Sequence, residues 1–373
     1  MKKYLIAAGL IAFCAPSFVH AEDIEYTFSG EWDSFYGYAF PNHKYKHRDK
    51  RDFFVNVFNL EAGAQKNFDD EYALGIYADL MAAINKRQRN YSNGLWGHEI
   101  YAIFDTPYGR LMGGETTNVA AQFHVSAPKA GKFGVNDSDI VNFIANPNWI
   151  KSKHQTAFRT LNSTEINTDG TAPKISYISP DFNGLMLGFS YIPETYSRTG
   201  LINRDASYAR KDGYVAAAYY NADLHFAELQ TSAGYGIFNE KDRDMSFGLS
   251  LYRAGWTIGG GWRKTDIDGK ENQSKTISND KRLPDLFDNY REGRAWNAGI
   301  GYEFGPFKTA LSYFESKAER TKNKDKIWLW SNEFQYNKHL SIYLAGAKVE
   351  FKGQNKLESN QGYSAITGFS VKF

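Results

Sequence analysis

From Tyr26 to Phe40 the chain alternates: Tyr26, Phe28, Trp32, Tyr36, Tyr38 and Phe40 share one face, with Thr27, Ser29, Glu31 and Asp33 on the other. A period of two over more than a dozen residues predicts a half-buried strand, long for a globular protein. The pattern recurs over 53–68, where Phe54, Phe58, Leu60, Ala62, Ala64 and Phe68 oppose Asn59, Glu61, Gln65 and Asn67. It returns after Asp69-Asp70-Glu71, with Tyr72, Leu74, Ile76, Ala78, Leu80, Ala82 and Ile84 against Gly75, Tyr77 and Asp79. Further strands are expected at 98–106, 109–116, 172–180, 184–193, 212–222, 224–239, 244–254 and 256–267, then at 292–304, 307–320, 326–338, 340–354 and 362–373, sixteen in all.

The connections sort into two kinds. Tight turns at Asp69–Glu71, Pro107-Tyr108, Asp181–Asn183, Asp223, Gly255, Gly305-Pro306 and His339 alternate with mostly longer loops near 41–52, 85–97, 117–171, 194–211, 240–243, 268–291, 321–325 and 355–361. This is an up-and-down antiparallel meander with an even strand number and both termini on the short-turn side. Such a layout predicts a transmembrane barrel. In hydrocarbon every backbone polar group needs an internal partner, and closure leaves no strand edge. The mean hydropathy of −0.54 does not conflict, because two opposed faces average out. Aromatics such as Trp256, Trp262, Tyr302, Phe304, Phe307, Tyr313, Trp328 and Trp330 lie near strand ends, where interfacial girdles form.

Lys2 and Lys3, the apolar run Leu5–Phe13 and the small residue Ala21 before Glu22 read as a signal peptide over 1–21, leaving 22–373 as the barrel domain. The only cysteine, Cys14, falls in that segment, so the mature chain has neither disulfides nor thiol chemistry. Without the two signal lysines the 44 basic residues equal the 42 acidic ones, and no nucleic-acid surface is indicated.

Four segments carry a family resemblance. They are Phe104–Glu115, Thr171–Tyr191, Glu333–Tyr343 and a last strand, Tyr363–Phe373, that ends on an aromatic. Together they resemble the general Gram-negative outer-membrane porins, sixteen-stranded and trimeric. The resemblance implies a water-filled channel for passive diffusion of ions and small hydrophilic solutes, narrowed by a long third loop folded into the lumen, here about 117–171. It also implies a homotrimer with Asn85–Gly97 reaching a neighbour, and a C-terminal strand read by the barrel-assembly machinery through Phe373. By the same likeness, Lys129, Lys132, Asp137 and Asp139 are the constriction candidates. Clustered oxygens at Asn136, Asp137 and Asp139 would suit a calcium ion, yet no matching Glu accompanies them, so no cofactor is assigned.

Alternation places Glu31, Asp33, Glu61, Asp79 and Glu99 on the lumen wall, with Arg110, Arg263, Arg294 and Lys308 as its cations. Family members often carry a basic cluster on the early strands, so this chain departs from them. Rings of one sign select the opposite ion, and the acids predict a mild cation preference. The alternative is a sugar-specific channel with a track from Trp96, Trp149 and Trp330. An enzyme is not indicated: there is no Gly-x-Ser-x-Gly elbow and no catalytic grouping of histidines. His43 and His47 sit among Lys44, Lys46 and Arg48; these cations, with Arg87, Arg89, Lys322, Lys324 and Lys326, are candidate contacts for lipopolysaccharide phosphates in the outer membrane.

Overall fold

In a computed structural model the chain is described over residues 24–41, 52–68, 71–86, 94–135, 144, 160–195, 211–267, 292–319, 323–353 and 359–373. Sixteen antiparallel strands close into one barrel in sequence order, the last pairing with the first. The first four are β1 (Ile24–Pro41), β2 (Asp52–Asn67), β3 (Ala73–Lys86) and β4 (Gly94–Thr106). After β5 (Gly109–Glu115) comes a short helix, α1 (Val119–Gln122), then β6 (Pro173–Ile178), β7 (Leu185–Glu194) and β8 (Lys211–Asp223). There follow β9 (Glu228–Phe238), β10 (Asp242–Arg253), β11 (Trp256–Asp266) and β12 (Gly293–Phe304). The circuit ends with β13 (Phe307–Lys317), β14 (Lys324–Asn337), β15 (Leu340–Lys352) and β16 (Asn360–Lys372). Among the described residues no helix is long and apolar enough to cross a membrane.

Phe28, Tyr36, Phe40, Ile76, Ile258 and Trp330 are all exposed on the outer face. An apolar girth of this kind is what a lipid-facing wall requires. Trp330, a girdle aromatic that the alternative reading would put in a sugar track, points away from the lumen. Trp149 lies outside the described residues, as do the loop cations Lys44, Lys46, Arg48, Arg87, Arg89 and Lys322.

Two connections differ from the sequence expectation. Where a loop at 240–243 is expected, β10 already begins at Asp242 and the turn is the three residues 239–241, in which Asn239 and Glu240 both have positive φ, 50° and 63°. Residues 224–227 form a turn closed by the Leu224 N–H donating to the Ala227 carbonyl at 2.9 Å, so β9 starts at Glu228. Gly255, at φ 85°, completes the hairpin after β10; a Cβ there would sit 2.5 Å from the Glu303 carbonyl oxygen.

The inner face is not uniformly polar. Phe35, Phe53, Val55, Ile327, Val349 and Phe351 are buried inside the barrel in one apolar cluster, and a second gathers Ile192, Val215 and Phe238. Both are capped by residues of the long connection between β5 and β6. Arg294 is a correction. It shares parity with Trp296, Ala298 and Ile300 on β12, is exposed, and stands opposite Lys264 and Lys317 on the outer face. The unbroken register of β12 keeps it outside.

Candidate functional site

The described parts of the connection between β5 and β6, residues 116–135 and 160–172, lie inside the barrel against its wall. A chain without regular structure must find partners for its backbone N–H groups. Inward polar side chains supply them. Ser190 Oγ on β7 accepts from Val119 N–H at 3.1 Å, and Ser232 Oγ on β9 from Val125 N–H at 3.0 Å. Asn297 Oδ1 on β12 accepts from Ala127 N–H at 3.0 Å, and Ser331 Oγ on β14 from Ala130 N–H at 3.0 Å. Ser312 Oγ on β13 donates to the Pro128 carbonyl at 2.6 Å. The wall is also cut back where the loop passes: a Cβ on Gly248 would lie 1.9 Å from the Val125 oxygen. Only a glycine permits so close an approach.

The helix α1 starts at Asn118, whose Oδ1 accepts from the N–H groups of Ala120 and Ala121 at 2.9 and 3.0 Å. This is N-capping, and it frees Val119, Ala120 and Phe123 to pack on Ile166, Ile192, Val215 and Phe238. The cap is held in turn: Asn118 Nδ2 donates to Asp169 Oδ1 at 2.6 Å, and Asp169 lies 3.2 Å from Lys174 Nζ in a fully buried ion pair. Burial pushes the Asp169 carboxyl up, against the pull of Lys174 and the Asn118 donor.

The return limb, 160–172, is tied by charge. Arg263 on β11 meets Asp244 on β10 through two hydrogen bonds of 2.9 and 2.7 Å, and both side chains are 1% exposed. Arg263 also reaches Asn167 Oδ1 at 2.6 Å and Thr168 Oγ1 at 3.0 Å, while Thr168 donates to Asp244 at 2.6 Å. Arg263 points inward but lies beneath the loop, and its charge holds protein rather than facing water.

His124 joins the outgoing and return limbs, with Nε2 3.0 Å from Thr164 Oγ1. Burial, then the nearby Arg263 charge, lower its pKa from 6.5 to about 4. A depressed histidine binds fewer protons folded than unfolded, so the stability it contributes is present above pH 6.5 and lost as the pH falls toward about 4. Hydrogen-exchange protection of the Ala120–Val125 amides is therefore expected to weaken across that interval in the native chain and to change less in His124→Gln. Equal pH profiles for the two proteins would refute this.

Farther along, Lys132 Nζ forms an ion pair with Glu31 and lies 3.5 Å from Asp33. Burial alone would lower the Lys132 pKa, but the hydrogen bond it donates to Glu31 and the charges of Asp33 and Glu31 raise it. The next residue anchors the loop, the Phe133 ring standing 5.0 Å from Phe35 and 6.3 Å from Tyr343. Lys129 is exposed. Asn136, Asp137 and Asp139 lie outside the described residues.

Glu61, Asp79 and Glu99 stand directly opposite one another on β2, β3 and β4. A register shift follows Asp79 but leaves this row on the inner face. Ser29 donates to Glu61 at 3.2 Å and Thr116 to Glu99 at 2.9 Å. Tyr77 and Tyr101, the next row, stack at 5.7 Å. Arg110 is paired with Asp105 at 2.6 and 3.1 Å, and Lys308 with Glu303 at 3.1 Å, both near the short-turn rim. Among the described residues no group of three His, Cys, Asp or Glu could hold a metal ion. A cavity of about 490 Å³ separates loop residues Gln122 to Pro128 from Tyr219, Gln230, Ser250 and Thr257 of the wall.

The loop-seating residues Ser190, Ser232, Asn297 and Ser331 were not singled out from sequence. Their signal was a small polar residue at an inward position. The early wall acids, Arg110, Arg263 and Lys308 stand at inward positions of their strands, and Arg294 at an outward one.

A family model described as Gram-negative porin matches residues 7–354. Among solved structures, an anion-selective porin from Comamonas acidovorans is similar at 12% identity and TM-score 0.60, over 94% of this chain and all of that one. OmpF of Salmonella typhi, in complex with daunomycin, is similar at 10% identity and TM-score 0.62, over 96% and 100%. OmpT of Vibrio cholerae, in a trimer form, is similar at 9% identity and TM-score 0.60, over 94% and 100%. At these identities the likeness is one of fold. No curated protein sequence matches the chain.

Proposed function

The chain belongs to the Gram-negative porin family and forms an outer-membrane channel for passive diffusion, and we propose that its constriction carries inverted charge and prefers cations. One observation carries this reading: carboxylates occupy the wall, Glu61, Asp79 and Glu99 in one lateral row, while the loop brings a lysine to Glu31 and Asp33. Lys132 and Lys372, the latter 3.9 Å from Glu31, together offset Glu31 and Asp33, which leaves the Glu61–Glu99 row to set the field. A confined, low-dielectric passage focuses such a field. Lys129, Asp137 and Asp139 complete the constriction in this proposal, and the 1–21 segment is removed on export.

The test is the reversal potential of single channels under a potassium chloride gradient. The native protein is expected to favour potassium, and E61Q/D79N/E99Q to move the potential toward chloride. The Comamonas porin is named anion-selective; a chloride preference in the native protein here would overturn the proposal. The assembled form in this reading is a homotrimer. Three-subunit mass in mild detergent, lost on heating, is the expected result, and a monomer alone would refute it. Lipopolysaccharide, the barrel-assembly machinery and small hydrophilic solutes are the further partners this function calls for.

A further inference from the structure

Passive diffusion needs an open lumen but no place where a solute is held. The cavity of about 490 Å³ beneath the loop offers such a place. It lies on the short-turn side, since Met186, Gln230 and Thr257 stand within the first three residues of β7, β9 and β11. Gln230 is one inward step below Ser232, the side chain that seats Val125. Tyr219 faces Met186 across β7 and β8, and Ser250 faces Gln230 across β9 and β10. The volume falls within the roughly 300–1,000 Å³ of sites that hold small organic molecules.

The lining identifies the class of solute. No charged side chain contributes to it, so an ion would give up water there without a counter-charge. Its polar groups are neutral and unclaimed. Among the described residues the hydroxyls of Tyr219, Ser250 and Thr257 have no hydrogen-bond partner. Gln122 Nε2 donates to the Thr117 carbonyl at 2.9 Å and Gln230 Nε2 to Glu228 at 3.3 Å, which leaves each Oε1 to accept. An apolar guest would leave these groups unpaired, whereas solute hydroxyls both donate and accept. Apolar surface is present as well: the rings of Phe123 and Tyr219 stand 6.0 Å apart at 46°, with Met186 beside them. A saturated ring with C–H faces and hydroxyls around its edge meets both demands.

We propose that this cavity binds neutral pyranose sugars, with Tyr219, Ser250 and Thr257 holding their hydroxyls and the rings of Phe123 and Tyr219 covering a C–H face. The inference rests on the channel reading and deepens it, adding retention to free passage. A sugar that has passed the loop is held at its underside before release from the short-turn rim. The acidic row Glu61–Asp79–Glu99 stands on β2 to β4, away from this wall, so sugar binding and ion preference are separate properties.

The test uses the full chain folded in a detergent without a sugar headgroup, titrated with glucose and followed by saturation-transfer NMR. The native protein is expected to bind glucose with a dissociation constant of about 1–10 mM. S250A/T257V, which removes two hydroxyls at nearly constant volume, should bind about tenfold more weakly or not at all. Ser250→Trp, which fills the cavity, should abolish the signal. T27V, which removes an exposed hydroxyl from β1 on the far wall, should bind as the native chain does. Glucuronate keeps the ring and adds a carboxylate, and it should bind at least tenfold more weakly than glucose. Equal affinity of S250A/T257V and native protein would overturn the proposal, and so would glucuronate binding as tightly as glucose. Single-channel conductance is recorded on the same preparations. A native protein that conducts but binds no glucose would refute the sugar site and leave the channel reading standing. One that binds glucose but passes no current would refute the channel and leave the site.

Discussion

Replacing Asp244 by Ala is expected to cost the docked loop about 3–5 kcal/mol and to enlarge the single-channel conductance. The carboxylate receives two hydrogen bonds from Arg263 and one each from Thr168 and Thr265. Without it, a guanidinium 1% exposed would keep only Asn167 and Thr168 as partners. A buried unpaired charge is costly, and the cheapest relief is for the return limb to lift and admit water. The backbone ladder between β10 and β11 keeps its own hydrogen bonds without this side-chain pair, so the barrel should stay folded while the loop loosens. Removing both charges, as Asp244→Leu with Arg263→Met, leaves no orphan ion and should recover most of the loss. Protease protection of the 160–172 segment, read beside conductance, checks both statements. If D244A left both unchanged, the pair would not be what holds the limb; if the double variant were worse than D244A, the unpaired charge would not be the cause.

How far the chain could be read in advance depends on what each residue's partner is. Strand pairing leaves its mark along every strand, because lipid and lumen demand opposite residues at alternate positions; Tyr26–Phe40 shows this plainly. The run Phe53–Phe58 was harder. Apolar residues there occupy both faces, since Phe53, Val55 and Val57 are covered from inside by the loop, and such a run signals burial on two sides. Loop docking left still less trace. Ser232 and Ser331 serve backbone N–H groups of Val125 and Ala130, which any residue but proline would offer. Lys132 finds Glu31 across 101 positions, and no local spacing encodes that contact. Arg263 shows the limit of parity: the inward direction was legible, but whether water or protein waited there was not.

Seam closure is the second point at which a small change should have a large effect. β1 and β16 close through paired bonds at the very end: Gly30 N–H donates to the Phe373 carbonyl at 2.9 Å, and Phe373 N–H to the Gly30 carbonyl at 3.0 Å. The Phe373 ring lies over Gly30, where a Cβ would come within 2.4 Å of it. Glycine leaves this strand uncovered, and the aromatic supplies the missing apolar surface. Gly30→Leu should expel the ring at a cost of about 1–3 kcal/mol. Phe373→Ala should cost about 2 kcal/mol, less than a fully buried ring because half of it already faces outward. The pair separates two roles for the terminal aromatic. If the ring acts by packing, both variants refold poorly from urea into lipid vesicles, with no other protein present. If it acts as a tag read by the assembly machinery, Gly30→Leu leaves the tag intact and reaches the outer membrane at native levels, whereas Phe373→Ala does not. The contact across the seam predicts a refolding yield reduced severalfold for both. Native yields of both variants in vesicles would show that the ring adds nothing to closure.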